Sequence, residues 1–174
     1  KNDDFKVIVS VSVANKIKKW PNDRWSNLID LIYKKYKSKI ILIGTKDDIG
    51  DIGDVKSRLD KDTKVYDLCG HLNLDELKAL ICKSNLFISV DTGPIYIAEA
   101  LDVPTIDIVG PMDENEQPPI GNKNRVVVPK RNKPEIHILN ARQYDLDEAM
   151  RQVNSIGVDD VYTEFEKLIE SGII

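Results

Sequence analysis

Apolar positions along the chain alternate between two rhythms. Short, β-branched runs occur at Phe5 to Val13, Lys39 to Gly44, Val65 to Leu68, Leu86 to Val90, Pro104 to Val109 and Arg125 to Val128. Each is bounded by glycine, proline or small polar residues, the pattern of a strand. Between them the spacing changes to three and four. From Pro21, the residues Trp25, Leu28, Ile29, Ile32, Tyr33 and Tyr36 share one helical face. A loop from Thr45 to Gly53 leads into a short helix ending near Leu59. A third helix starts at Asn73 or Asp75 and runs to Lys83, with Leu74, Leu77, Leu80 and Ile81 expected inward. A fourth carries Ile97, Ala98 and Leu101, and two more span Leu146 to Val153 and Val158 to Ile169. The stretch from Met112 to Asn124, with Pro118, Pro119 and Gly121, reads as a long loop, and Lys130 to Asn140 as irregular.

Strands that alternate with helices at intervals of roughly 20 to 25 residues make an α/β domain of three layers, a Rossmann-like parallel sheet with helices on both faces. We expect one domain over residues 1–174, with the helices of about 143–170 peripheral, packed on the sheet or on a neighbouring domain. Because the chain starts at Lys1 and not at a methionine, a cut piece of a longer protein is expected. Ligands of such sheets bind beyond the carboxyl ends of the strands. The loops there are Ala14 to Trp20, Thr45 to Asp48, Cys69 to Leu72, Asp91 to Tyr96 and Gly110 to Asp113.

One of these loops has the chemistry of an anion site. In Ser89-Val90-Asp91-Thr92-Gly93-Pro94, Asp91 or Thr92 is placed to cap the following helix, Pro94 suits its first turn, and Gly93 lets a ligand approach the backbone. The amides at a helix start, with the positive end of the dipole behind them, favour phosphate. A well-capped helix with no ligand is the plainer alternative. The loop after the first strand adds Lys16, Lys18 and Lys19.

Composition narrows the field further. Hydrophobic residues are 41% and charged residues 31%, with a net charge of −4. Bulk attraction to nucleic acid is therefore not expected, and phosphate binding has to be local. Cys69 and Cys82 have neither CxxC nor metal-ligand spacing. No metal site is expected, and a reducing, cytoplasmic setting is the default. There is no GxGxxG, no GxxxxGK[ST] and no GxSxG, and His71 and His137 have no evident nucleophile or metal partner. Of the two, His71 lies on a loop facing the expected site.

Taken in order, Lys18-Lys19-Trp20-Pro21, Ile41-Leu42-Ile43-Gly44, Leu68-Cys69-Gly70-His71-Leu72, Ser89-Val90-Asp91-Thr92-Gly93-Pro94-Ile95-Tyr96-Ile97-Ala98-Glu99 and Val109-Gly110-Pro111 resemble the C-terminal half of glycosyltransferase family 9, the heptosyltransferase family. The resemblance runs from about Phe5 to Gly121. It implies a two-domain GT-B enzyme in which this half holds a nucleoside-diphosphate sugar, with no metal or other cofactor. An N-terminal half not in this chain would hold the glycan or glycolipid acceptor and the acidic base. By the same resemblance Lys18 contacts the donor phosphate and acts as an electrostatic catalyst. Asp91, Thr92 and Gly93 serve the diphosphate with Pro94 beside them, Asp47 or Asp48 serves the ribose, and Gly70 and His71 line the base pocket, with Gly110 in the last loop. Two departures stand out. Tyr96 occupies a position where the family usually has histidine, and Val13 and Ala14 replace small hydroxylated residues, leaving Ser12 or Asn15 as substitutes. The expected activity is sugar transfer to a lipopolysaccharide-type or other surface glycan at the inner face of the cytoplasmic membrane, with peripheral membrane association of the full enzyme. A noncatalytic sugar-nucleotide binding module, or another GT-B enzyme such as a nucleotide-sugar epimerase, is the alternative.

Overall fold

The computed structural model describes residues 5–116, 118–138 and 143–174; Arg142, to which the sequence assigns no chemistry, lies outside them. Six strands form one sheet: β1 (Lys6–Ser10), β2 (Lys39–Ile43), β3 (Val65–Asp67), β4 (Leu86–Val90), β5 (Thr105–Ile108) and β6 (Asn124–Val127). Their order is β3-β2-β1-β4-β5-β6 and every neighbouring pair is parallel. The helices are α1 (Asn22–Tyr36), α2 (Ile49–Arg58), α3 (Leu74–Cys82), α4 (Gly93–Ala100), α5 (Leu146–Ser155) and α6 (Val158–Glu170). Short 3-10 turns cover Lys16–Lys18 and Lys46–Asp48.

The strands are apolar at consecutive positions because both sheet faces are covered. In β1 the alternation sends Val7 and Val9 to one side and Ile8 to the other. Val7 and Val9 join Leu28, Ile29 and Ile32 of α1, Ile52 and Val55 of α2, and Val161, Phe165 and Leu168 of α6. Ile8 and Phe87 meet Ile81 of α3 and Ile95 and Ala98 of α4. Fully burying a side chain of this size contributes about 1.5–3 kcal/mol, so both layers matter to stability.

Several elements depart from expectation. The first strand stops at Ser10 and not at Val13, because its neighbours end at Ile43 and Val90 and leave no ladder to continue. Leu74 is 57% exposed and not inward: it is the first residue of α3, and only Leu77, Leu80 and Ile81 reach the apolar layer. The helices expected at the periphery are built into the core. Phe165 of α6 is fully buried, its ring 5.2 Å from Tyr36 of α1, and Trp20 Nε1 donates to Ile156 O at 2.9 Å. α6 packs on β5 and β6, one of the two expected placements, while α5 packs on the 3-10 turn at Lys16–Lys18.

Candidate functional site

The strand order decides where the site forms. From β1 the chain steps out to β2 and β3, whereas from β4 it steps to β5 and β6. Loops leaving β1 and β4 therefore part to opposite sides, and a crevice opens between them. Because Ser10 of β1 is in register with Ser89 of β4, the residues just past both strands face each other across it.

Three groups meet at this point. Asn15 caps the 3-10 turn by accepting from Ile17 N (3.2 Å), and the buried Ile17 anchors that turn on Ile136 and Ala149. The turn carries Lys18 toward β4, where Nζ donates to Asp91 Oδ2 at 2.8 Å and to Asp91 O at 3.3 Å. Tyr96, one turn into α4, donates its hydroxyl to Asp91 Oδ1 at 2.8 Å. Burial, then the carboxylate beside it, pushes the Tyr96 phenol well above its ordinary range, so it acts only as a neutral donor near pH 7. The Lys18 and Asp91 side chains are 19% and 15% exposed, a partly desolvated pair.

Neither expected cap of α4 is made. The Asp91 carboxylate is committed to Lys18 and Tyr96, and Thr92 Oγ1 is buried with no hydrogen-bond partner. The helix start has no side-chain cap, and a Cβ placed on Gly93 would meet nothing within 4 Å. The positive helix end thus faces open space at Gly93, with the buried Thr92 hydroxyl behind it.

That space is a cavity of about 680 Å³ lined by Ser12, Thr45, Asp48, Gly70, Thr92 and Gly93 among others. It has the size of a small-ligand pocket. On the β2 side, Asp48 closes its own turn: Oδ2 accepts from Thr45 N (2.7 Å), Thr45 Oγ1 (2.7 Å) and Ser12 Oγ (2.6 Å). Gly44 is tightly packed: a Cβ there would lie 3.0 Å from Asp48 Cβ and 3.1 Å from Cys69 Sγ. Gly70, at φ +73, brings its loop against Lys46. Burial pushes the Cys69 thiol upward, which suits an inert packing role.

Of the residues singled out in the sequence, Ser12, Asp48, Gly70, Thr92, Gly93 and Pro94 line this cavity. Lys18, Asp91 and Tyr96 form the adjoining polar cluster. Three lie elsewhere. Asn15 is exposed and spent on its cap, His71 is exposed outside the lining, and Gly110, at φ +62, faces Val153 of α5 while its carbonyl accepts from Arg131 (3.0 Å). A glycine in an expected ligand loop can equally be a packing glycine, and only the tertiary structure separates the two. Leu72 and Leu77 supply an apolar wall to the cavity that sequence reading assigned to a loop and a helix core.

Asp107 was also missed. It lies on β5, 1% exposed, with Oδ1 lacking a partner. Burial first, then the negative Asp91, pushes its carboxyl well above the usual range. An acid within an apolar strand is the available sequence signal. Asp113, Glu116 and His137 place three ligand atoms within 4.8 Å of one another, with His137 Nδ1 3.3 Å from Asp113 and 3.6 Å from Glu116. One imidazole and two carboxylates are a donor set able to hold a divalent cation; equally, a protonated His137 would tie the two loops as an ion pair.

A parallel sheet with its switch point between β1 and β4, with a lysine and an uncapped helix start beside it, defines a Rossmann-like domain. The family model of glycosyltransferase family 9 (heptosyltransferase) matches residues 2–144, and the chain belongs to that family. It is 30% identical over 111 residues to lipopolysaccharide heptosyltransferase 3 of Escherichia coli strain K12, covering 63% of this chain and 32% of that protein. In fold it is similar to E. coli ADP-heptose lps heptosyltransferase II (TM-score 0.81, 18% identity, 100% of this chain and 49% of that one). It is also similar to the glycosyl transferase family 9 structure from Veillonella parvula (TM-score 0.78, 20% identity, 97% and 46%). The chain thus spans about a third of the length of the curated relatives it matches and about half of those structures. No described helix is long and apolar enough to cross a membrane.

Proposed function

We propose that this chain is the donor half of a glycosyltransferase, holding a nucleoside-diphosphate sugar while a second domain presents a surface-glycan acceptor and its base. The observation that carries this is the cluster at the switch point: Lys18 on Asp91, with the uncapped start of α4 opening on the cavity at Gly93 and the buried, unpaired Thr92 hydroxyl behind it. Departure of a nucleoside diphosphate builds negative charge on the leaving phosphate. An ammonium and preorganised amides stabilise charge where it develops. In this reading the diphosphate sits over Gly93 and the nucleoside extends along the cavity toward Gly44, Gly70 and Leu72. Asp48 supports that wall through its own turn, with Asp47, exposed beside it, left to meet the ribose.

Family membership favours sugar transfer over the epimerase alternative. The solved family members include complexes of E. coli WaaC with ADP and with ADP-2-deoxy-2-fluoro heptose, which supports an adenine nucleotide as the first ligand to try. Transfer would take place on the cytoplasmic membrane face, with any membrane contact supplied by the complete enzyme, and no metal or further cofactor is invoked. Calorimetric titration with ADP, UDP and GDP tests the reading. Binding of at least one in the millimolar range or tighter, with no transfer by the isolated chain, is expected. Binding of none at millimolar concentration would remove it. A noncatalytic binding module would bind equally well, and joining the chain to its missing half separates the two: transfer identifies the enzyme.

A further inference from the structure

The lysine expected to meet the donor phosphate is already occupied. Lys18 Nζ donates twice to Asp91, to the carboxylate at 2.8 Å and to the carbonyl at 3.3 Å. This is not a loose surface pair. Lys34–Asp60, by contrast, has side chains 61% and 50% exposed, against 19% and 15% here. A pair so withdrawn from water is screened little by salt, and each partner is costly to leave uncompensated. In this state the positive charge of Lys18 is cancelled locally, so it offers little attraction to a distant anion.

We propose that Asp91 is an internal stand-in for the donor phosphate, and that nucleotide binding is an anion exchange at Lys18. This rests on the donor-site reading above and adds a role for Asp91 and Tyr96 within it. The diphosphate takes the ammonium from Asp91. It outcompetes the carboxylate because it carries more charge and also gains the open start of α4, which Asp91 does not use. The displaced carboxylate is not stranded, because Tyr96 still donates to its other oxygen at 2.8 Å. Tyr96 is thus a positioning residue: it draws charge from the carboxylate, weakens its hold on Lys18, and keeps it in place while the ammonium is away. When the nucleoside diphosphate leaves, Asp91 recaptures Lys18, which opposes tight retention of product.

The consequence runs against the usual effect of deleting a charged site residue. Asp91→Asn should tighten ADP binding by roughly fivefold or more, because the isostere keeps a hydrogen-bonding partner but no longer neutralises the ammonium. Tyr96→Phe should act in the opposite direction, weakening ADP roughly two- to threefold, because an unshared carboxylate grips Lys18 harder. In the Lys18→Met background the gain from Asp91→Asn should vanish. Calorimetry on the full 174-residue chain and the variants, each checked for native circular dichroism, reads all of this. A folded Asp91→Asn variant that binds ADP no better than the parent, while Lys18→Met weakens it, overturns the exchange and leaves the donor site standing. If Asp91→Asn does not fold, the Tyr96→Phe comparison decides: unchanged or tighter ADP binding overturns the proposal. Loss of all dependence on Lys18 would take both readings down together.

Discussion

Two carboxylates stand at the carboxyl edge of the sheet, Asp48 after β2 and Asp91 after β4, and their fates differ. Asp48 takes three hydrogen bonds at one oxygen from Thr45 and Ser12, two of them from within its own turn, with no cation involved. Asp91 is held by two side chains from different elements, Lys18 at one oxygen and Tyr96 at the other. The first arrangement closes a loop. The second balances a charge that another anion can claim. Both are aspartates in loops beyond a strand, Asp48 five residues past β2 and Asp91 immediately past β4, and what faces each acid differs: short-range donors that fold with it, or a lysine delivered across the crevice by the loop after a neighbouring strand.

The comparison can be broken in four places. The largest effect should come from Asp48→Ala. Removing a buried acceptor that satisfies three donors in a partly buried turn should lower stability by about 3 kcal/mol, read by denaturant unfolding. It should lower nucleotide affinity only through the loosened cavity wall. Lys18→Ala should do the reverse, costing about 2 kcal/mol of ADP affinity by calorimetry while stability falls less. If Asp48→Ala abolishes binding with the fold unchanged, Asp48 is a ligand group and the contrast collapses. Thr92→Ala should cost about 1 kcal/mol of ADP affinity, the worth of one hydroxyl contact, with little change in melting temperature because that hydroxyl has no partner in the free protein. An unchanged affinity would place the phosphate elsewhere.

The smallest and most pH-dependent effect concerns Asp107. Its folded-state carboxyl is raised by burial and by the charge of Asp91. A raised group supports the fold fully below its unfolded-state value, about pH 4, and loses that contribution as pH rises through its folded-state value. Asp107→Asn, which removes the titration, should therefore gain thermal stability on the parent at pH 8, and the gap should close toward pH 4. Parallel stability curves for the two proteins between pH 4 and 8 would show that Asp107 is not the buried acid described.

Much of this was legible from the chain alone. Continuous β-branched runs such as Lys-Ile-Ile-Leu-Ile at 39–43 state that both faces of a strand are covered, and the spacing of Trp25, Leu28, Ile29 and Ile32 states where a helix lies against it. These signals are local, because burial periodicity is set by backbone geometry within one element. The helix start at Gly93-Pro94 was readable for the same reason. Leu74 and Gly110 were not. An apolar residue at a helix's first position and a glycine at a strand's end look alike whether they face a core, solvent or a ligand.

Sequence by itself determined the class of fold, the run of elements and the residue types able to meet a phosphate. Tertiary structure decided which of them meet: that Lys18 spends its charge on Asp91, that Tyr96 rather than solvent holds the other oxygen, that Thr92 is left unsatisfied, and that Asn15 and His71 stand aside. The reason is separation along the chain. Lys18 and Asp91 are 73 residues apart, and what joins them is the order of strands β1 and β4, fixed by the packing of the whole sheet.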